Sequence, residues 1–311
     1  MTIFRATLLG TSSAQPTIGR GLSSTALSVA GDRFLVDCGE GTQRQMLRFG
    51  LGLRIDMVFF THFHADHYLG IIGLMRTLSM HATEETEPIH LFGPRPFITD
   101  DLPRMLFCGV DDLALRPEFH PLADGDVVER RDYAVRAVQV EHRVPTLGYV
   151  IEEHGRPGKF DVNAARELGL APGPSYSLLQ AGETVRAPNG QLIRPEDVMG
   201  PARRGRKLCI SGDTRPCERL AEAASDADVL IHEATFSEHE KERAVFTQHS
   251  TAYEAGTVAA SARVNQLVLS HFSSRHDTRP EFLVREAKRA FSGDVTAAHD
   301  GLCIDLPRHG D

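Results

Sequence analysis

Three histidines and an aspartate fall within the run His62-Phe63-His64-Ala65-Asp66-His67. Neutral imidazole and carboxylate are the donors that zinc-like divalent ions prefer. One ion takes about three or four such donors, so this run plus partners elsewhere supplies two ions. The run directly follows the apolar stretch 55–60, which reads as a buried strand. So much polar surface at the end of a buried strand is unfavourable without a compensating ion, which argues against a purely structural role.

Partners recur downstream in the same kind of place. The alternating stretch 133–140 predicts a strand and is followed by Glu141-His142. The apolar stretch 208–211 is followed by Gly212-Asp213, and the stretch 266–270 by His271. Ligands gather where the strands of helix-covered sheets end, so five histidines and two aspartates should converge at one edge. Taken singly, His142 and His271 would be ordinary half-buried histidines. Asp213, in Ser-Gly-Asp-Thr, would be a turn or helix cap. The cluster at 62–67 reverses that weighting.

The positioning elements are mostly short. Strands are expected at 3–9, 25–29, 33–36, 89–92 and 229–232, besides those already named. Helices are expected at 42–49, 70–80, 98–106, 217–224, 251–262 and 280–291. Residues 155–201 differ: they are rich in Gly and Pro, with poor periodicity and a helical pattern only over 162–170. Structureless loops beyond about 15 residues are uncommon in compact domains, so the segment reads as an inserted arm.

The chain has 311 residues and a net charge of −8, which excludes a generally basic nucleic-acid coat but not a local basic patch. Its five cysteines are odd in number and form no Cys-x-x-Cys pair, as expected for a reduced cytosolic protein. The same absence argues against a redox or metal-storage protein. No segment approaches the ~20 apolar residues of a membrane span, and no signal-peptide pattern opens the chain. A soluble cytoplasmic protein is expected.

His-x-His-x-Asp-His after an apolar strand resembles the signature of the metallo-β-lactamase superfamily. Further motifs are similar to the ribonuclease Z family, the tRNA 3′-processing endonucleases, in its short form. They are Asp37-Cys38-Gly39-Glu40-Gly41-Thr42-Gln43, Ser211-Gly212-Asp213-Thr214-Arg215-Pro216, His232-Glu233-Ala234-Thr235 and His249-Ser250-Thr251. Residues 158–174, from Gly158-Lys159-Phe160-Asp161 to Pro172-Gly173-Pro174, look like that family's exosite. Two departures stand out. Gly19-Arg20-Gly21 replaces a basic residue followed by Asn, and Ser274-Arg275-His276 replaces Ser-Arg-Tyr.

The resemblance implies an α/β fold, an αββα sandwich of two mixed sheets flanked by helices. It implies one domain over residues 1–311, with an exosite arm inserted at 152–202. It implies two Zn2+ per subunit, Mn2+ fitting similar donors. His62, His64 and His142 would hold one ion and Asp66, His67 and His271 the other, with Asp213 bridging. Asp66 is implied as general base. His249 is read as the proton donor to the leaving 3′-oxygen, oriented by Glu233, and His232 as a supporting or packing residue. The implied substrate is precursor tRNA, cut after the discriminator base to leave a 3′-hydroxyl and a 5′-phosphate. The implied assembly is a homodimer in which one subunit's arm serves the other's site. Arg156 and Lys159 of the arm and Arg20 are the RNA-contact candidates, with Arg203–Lys207 as further basic residues. The alternative is another phosphodiesterase or small-ester hydrolase of the same superfamily, against which the arm and the motifs at 232–235 and 249–251 speak. A catalytically silent RNA-binding protein is disfavoured because all seven ligand positions are filled.

Overall fold

The structure is a computed structural model, and it describes residues 3–109, 113–277 and 279–309. The chain divides into two compact units: Met1–Glu152 with Arg206–Pro307, and Glu153–Gly205 with Arg308–Asp311.

The first unit begins with β1 (Phe4–Gly10), β2 (Ser24–Val29), β3 (Asp32–Val36), β4 (Met57–Phe59), β5 (Ile89–Pro94) and β6 (Pro117–Leu122). It continues with β7 (Val127–Glu129), β8 (Tyr133–Gln139) and β9 (Leu147–Glu153). The second unit carries the short pair β10 (Val185–Arg186) and β11 (Leu192–Ile193). The chain then returns through β12 (Lys207–Ile210), β13 (Val229–Glu233), β14 (Gln266–Ser270), β15 (Asp294–Ala297) and β16 (Cys303–Asp305).

Two seven-stranded mixed sheets result, ordered β16-β1-β2-β3-β4-β5-β6 and β15-β14-β13-β12-β9-β8-β7. β3 to β6 pair parallel in the first, and β12 to β15 pair parallel in the second. Strand periodicity explains the layering, because alternate side chains face opposite sides. Phe34, Phe59, Tyr133 and Tyr149 join one core cluster, while Leu35, Val58 and Phe60 join another with Ile71 and Leu74 of the helix Gly70–Ser79. Phe59 stacks on Phe92 at 4.6 Å and meets Tyr149 edge-on at 5.4 Å. The buried Tyr149 hydroxyl donates to the Phe60 carbonyl at 2.6 Å, so a residue of the second sheet is fixed to the end of β4 just ahead of the histidine run.

The second unit is not structureless. Helices Val162–Glu167 and Pro174–Gln180 contribute to a separate apolar cluster of Ala165, Leu170, Leu179, Ala187, Ile193 and Val198. The side chain of Asp161 caps the first helix by accepting from the amides of Asn163 and Ala164. Among the described residues, no helix is long and apolar enough to cross a membrane.

Candidate metal centre

Each ligand-type residue follows the C-terminal end of a strand. His62 and His64 lie in the turn after β4, and Asp66 and His67 in the short helix Ala65–Tyr68. His142 follows β8, Asp213 follows β12 and His271 follows β14. Their donor atoms meet in two groups. His64 Nδ1 lies 3.0 Å from His62 Nε2 and 3.3 Å from His142 Nε2. His67 Nε2 lies 3.3 Å from His271 Nε2, and Asp66 Oδ2 lies 3.5 and 3.4 Å from those two atoms. Asp213 reaches both groups: Oδ2 is 3.5 Å from His62 and 3.4 Å from His67, and Oδ1 is 3.3 Å from His271. Donors around a tetrahedral ion with bonds of ~2.0–2.1 Å are separated by about 3.3 Å. The spacing therefore fits divalent metal ligand sets, His62, His64 and His142 with Asp213 in one and Asp66, His67 and His271 in the other, and Asp213 also lies 3.4 Å from His67 and 3.3 Å from His271.

The rings are aimed by partners on their outer nitrogens. Nδ1 of His62 meets Thr61 Oγ1 at 3.0 Å, and Nδ1 of His67 meets Asp37 Oδ2 at 2.7 Å. Nδ1 of His142 meets the Gln248 carbonyl at 2.8 Å, and Nδ1 of His271 meets Thr235 Oγ1 at 2.8 Å. Such partners select the tautomer that leaves Nε2 free for a metal. Asp37 also accepts from the Thr61 amide at 2.8 Å, tying the turn after β3 to the turn after β4. Asp37, Gln248 and His271 have φ of 61°, 60° and 58°, in the left-handed region that non-glycine residues seldom occupy. Strain of about 1–3 kcal/mol per residue is typical there and concentrates at functional sites.

Burial holds the imidazoles of His62, His64 and His142 neutral, below the usual histidine range, as metal ligation requires. Burial would lower His67 too, but the charges of Asp213, Asp66 and Asp37 outweigh it and push the ring upward. Burial would raise Asp66 and Asp213; the neighbouring histidines reverse this and keep both carboxyls ionised.

Comparison with known proteins then decides the family. A beta-lactamase superfamily domain model matches residues 32–160. The ribonuclease Z of Myxococcus xanthus (strain DK1622) is 53% identical over 307 residues, covering 99% of both chains. The chain belongs to the ribonuclease Z family. The ribonuclease Z of Haloarcula marismortui is 45% identical over 301 residues, covering 96% of this chain and 95% of its own. The crystal structure of human tRNase Z, short form, superposes with a TM-score of 0.67 at 27% identity, covering 97% of this chain and 99% of the human one.

The ribonuclease Z motifs interlock beside the ligands. Glu233, at the end of β13, is buried, and its Oε1 accepts from His249 Nδ1 at 2.9 Å and from the Thr214 amide at 2.7 Å. Its Oε2 accepts from Thr235 Oγ1 at 2.7 Å and from the Ser250 amide at 3.1 Å. His249 Nδ1 lies 3.8 Å from Asp213 Oδ2. Burial would lower His249, but the Glu233 charge and hydrogen bond outweigh it and raise the ring to about 9. Burial would raise Glu233, and the charge and hydrogen bond of His249 turn the net shift downward. Thr251 caps the helix Ala252–Ala262 by accepting from the Glu254 amide. Glu254 pairs with Arg215, which donates to the His249 carbonyl at 2.5 Å. His232 is fully buried, with Nδ1 against the Glu233 carbonyl at 2.7 Å.

Arg20 is not displayed as a surface cation. It is 7% exposed, donates to Thr11 Oγ1 and the Ala298 carbonyl, both at 2.7 Å, and pairs with Asp277 at 3.1 Å. Its guanidinium lies 4.8 Å from the ring centre of Phe272, next to the candidate ligand His271. Arg156 and Lys159 lie in the second unit, where Arg156 forms a backbone bridge to Arg203. The ring partners Asp37, Thr235 and the Gln248 carbonyl escaped the sequence reading as functional groups. The only signal was that Asp37 and Thr235 sit inside motifs already singled out.

Proposed function

We propose that this ribonuclease Z family member is the endoribonuclease that cuts the 3′ trailer from tRNA precursors, leaving a 3′-hydroxyl on the tRNA and a 5′-phosphate on the trailer. The single observation carrying this reading is the pairing of two donor groups, joined by Asp213, with a Glu233-oriented His249 beside them. In this reading His62, His64 and His142 hold one ion, Asp66, His67 and His271 hold the other, and Asp213 bridges. Two Zn2+ per subunit suit these donors, and Mn2+ suits them less selectively. When bound, such ions generate a nucleophile from water at neutral pH and stabilise charge on phosphate oxygens.

The chain's own residues do the rest. Asp66 Oδ2, held by the Ala14 amide at 2.7 Å, orients the nucleophile or accepts its proton. His249 donates a proton to the leaving 3′-oxygen, which departs poorly as a bare alkoxide. Glu233 fixes the imidazole in the tautomer that carries hydrogen on Nδ1 and balances its positive charge. The second unit serves as the arm, with Arg156 and Lys159 meeting tRNA phosphates, which set affinity without reading sequence. Arg20 acts as a positioning residue for the loop near His271. A homodimer, in which the arm of one subunit serves the other's site, and a cytoplasmic location complete the reading.

The test is to incubate metal-loaded protein with 5′-labelled precursor tRNA and map the cut. One cleavage after the discriminator base, with a 3′-hydroxyl on the tRNA fragment, is expected. Intact precursor alongside rapid hydrolysis of a small phosphodiester would overturn the substrate assignment in favour of a small-molecule phosphodiesterase.

A further inference from the structure

A second set of metal-type donors lies away from the catalytic centre, on β5 and β6. Glu118 and His120 are two apart on β6, so their side chains share one face of the sheet. β6 pairs parallel with β5, and the register sets His90 opposite Glu118 and Phe92 opposite His120. His90 therefore joins the same face from the neighbouring strand. His90 is also level with Met57 of β4, whereas His62 follows the other end of that strand.

The donor atoms converge. His90 Nδ1 lies 3.0 Å from His120 Nε2 and 3.2 Å from Glu118 Oε2, and His120 Nε2 lies 3.7 Å from the same Oε2. These three separations straddle the value of about 3.3 Å expected between donors on a tetrahedral ion. They match the separations among the catalytic ligands. Phe92 stacks on the His120 ring at 4.7 Å and 22°, which holds the ring while leaving its donor edge free. The three side chains are each at least a third exposed, so an ion can reach them directly from solvent.

We propose that His90, Glu118 and His120 form a third metal site, a three-ligand clip for a zinc-class divalent ion whose fourth position is open to water. β6 is the edge strand of its sheet. An edge strand has one row of unpaired backbone groups and frays more readily than a central strand. An ion gripping both β5 and β6 ties that edge to the sheet, and its site is separate from the hydrolytic chemistry. Two imidazoles and one carboxylate favour zinc, nickel or copper over magnesium or calcium.

The experiment uses the full chain, stripped of metal and dialysed against excess ZnCl2, followed by elemental analysis per subunit. The wild type is expected to hold one equivalent more zinc than His90→Gln/His120→Gln, while both cleave precursor tRNA at the same rate. Glu118→Gln, a milder change, is expected to weaken that same equivalent at least tenfold in chelator competition. Amide hydrogen exchange supplies a readout independent of stoichiometry: zinc should slow exchange in 117–122 of the wild type and not of the double variant. Equal zinc contents in wild type and double variant, with equal exchange in 117–122, would mean that the three side chains only hydrogen-bond to one another and would overturn the proposal.

Discussion

Nδ1 of His249 donates to Oε1 of Glu233 at 2.9 Å, and that carboxylate accepts four further hydrogen bonds from Thr214, Thr235 and Ser250. Glu233 is thereby immobile, and so is the imidazole. His249→Ala should lower single-turnover cleavage of precursor tRNA by about 100-fold or more, the usual contribution of a positioned acid. Metal content should not change. Glu233→Gln should also lower the rate, because a neutral amide no longer balances a charged imidazole. If His249→Ala cleaves at the wild-type rate, the donor role is wrong.

Asp37 stands behind His67 as Glu233 stands behind His249. Its carboxylate touches Nδ1 of His67 at 2.7 Å and also holds the Thr61 amide and hydroxyl. Partners of this kind typically contribute about 10–100-fold in metal affinity. Asp37→Asn should therefore weaken binding at the Asp66–His67–His271 group by a factor in that range, read by chelator competition. The other group should be affected less, since Asp37 reaches it only through Thr61 behind His62, while the Gln248 carbonyl aims His142 without Asp37.

The convergence of the candidate ligands was legible because metal-type donors after apolar strands are a dense and specific signal. All seven meet where the strand ends predicted. What supports them was not legible, because it depends on long-range placement and on unusual backbone. Asp37 and Gln248 act from left-handed conformations that no local pattern announces. β6 was missed because Pro117, Glu118 and Pro121 do not resemble a buried strand, and an edge strand tolerates such residues. The Gly- and Pro-rich stretch reads as an inserted arm with a helical pattern only over 162–170. Its second helix escaped because Pro174 stands at that helix's first turn, where proline is accepted, while flanking glycines hide the periodicity.

Arg20 separates a structural from an RNA-binding role. Its guanidinium bonds Thr11, Ala298 and Asp277 and covers Phe272. Arg20→Ala should destabilise the protein by about 3 kcal/mol in urea unfolding, the scale for leaving a buried ionic partner unmatched. The salt dependence of tRNA binding should stay unchanged. A reduced salt slope without loss of stability would restore Arg20 as a phosphate contact.

The arm can be tested through its cations. Arg156 and Lys159 belong to a unit with its own apolar cluster, so changing them should leave the fold of that unit intact. Each phosphate contact removed should reduce the slope of log affinity against log salt by about one. Arg156→Ala/Lys159→Ala should thus weaken tRNA binding most at low salt, while hydrolysis of a small phosphodiester continues at the wild-type rate. Parallel loss of both activities would make these residues structural.

Removing the metals should destabilise the body of the protein and not only silence it. Asp66, Asp213, His62 and His67 are nearly inaccessible to water, and an ion is what best satisfies so many converging donors. A ligand that binds only the folded state adds about 4 kcal/mol at a thousand times its dissociation constant. Chelation of the holoprotein should therefore lower its melting temperature by several degrees, and added zinc should restore it. Asp213→Ala removes the carboxylate common to both groups, so its melting temperature should respond weakly to zinc, whereas His249→Ala should respond like the wild type. Equal responses in Asp213→Ala and wild type would show that these donors are not where the stabilising metal binds.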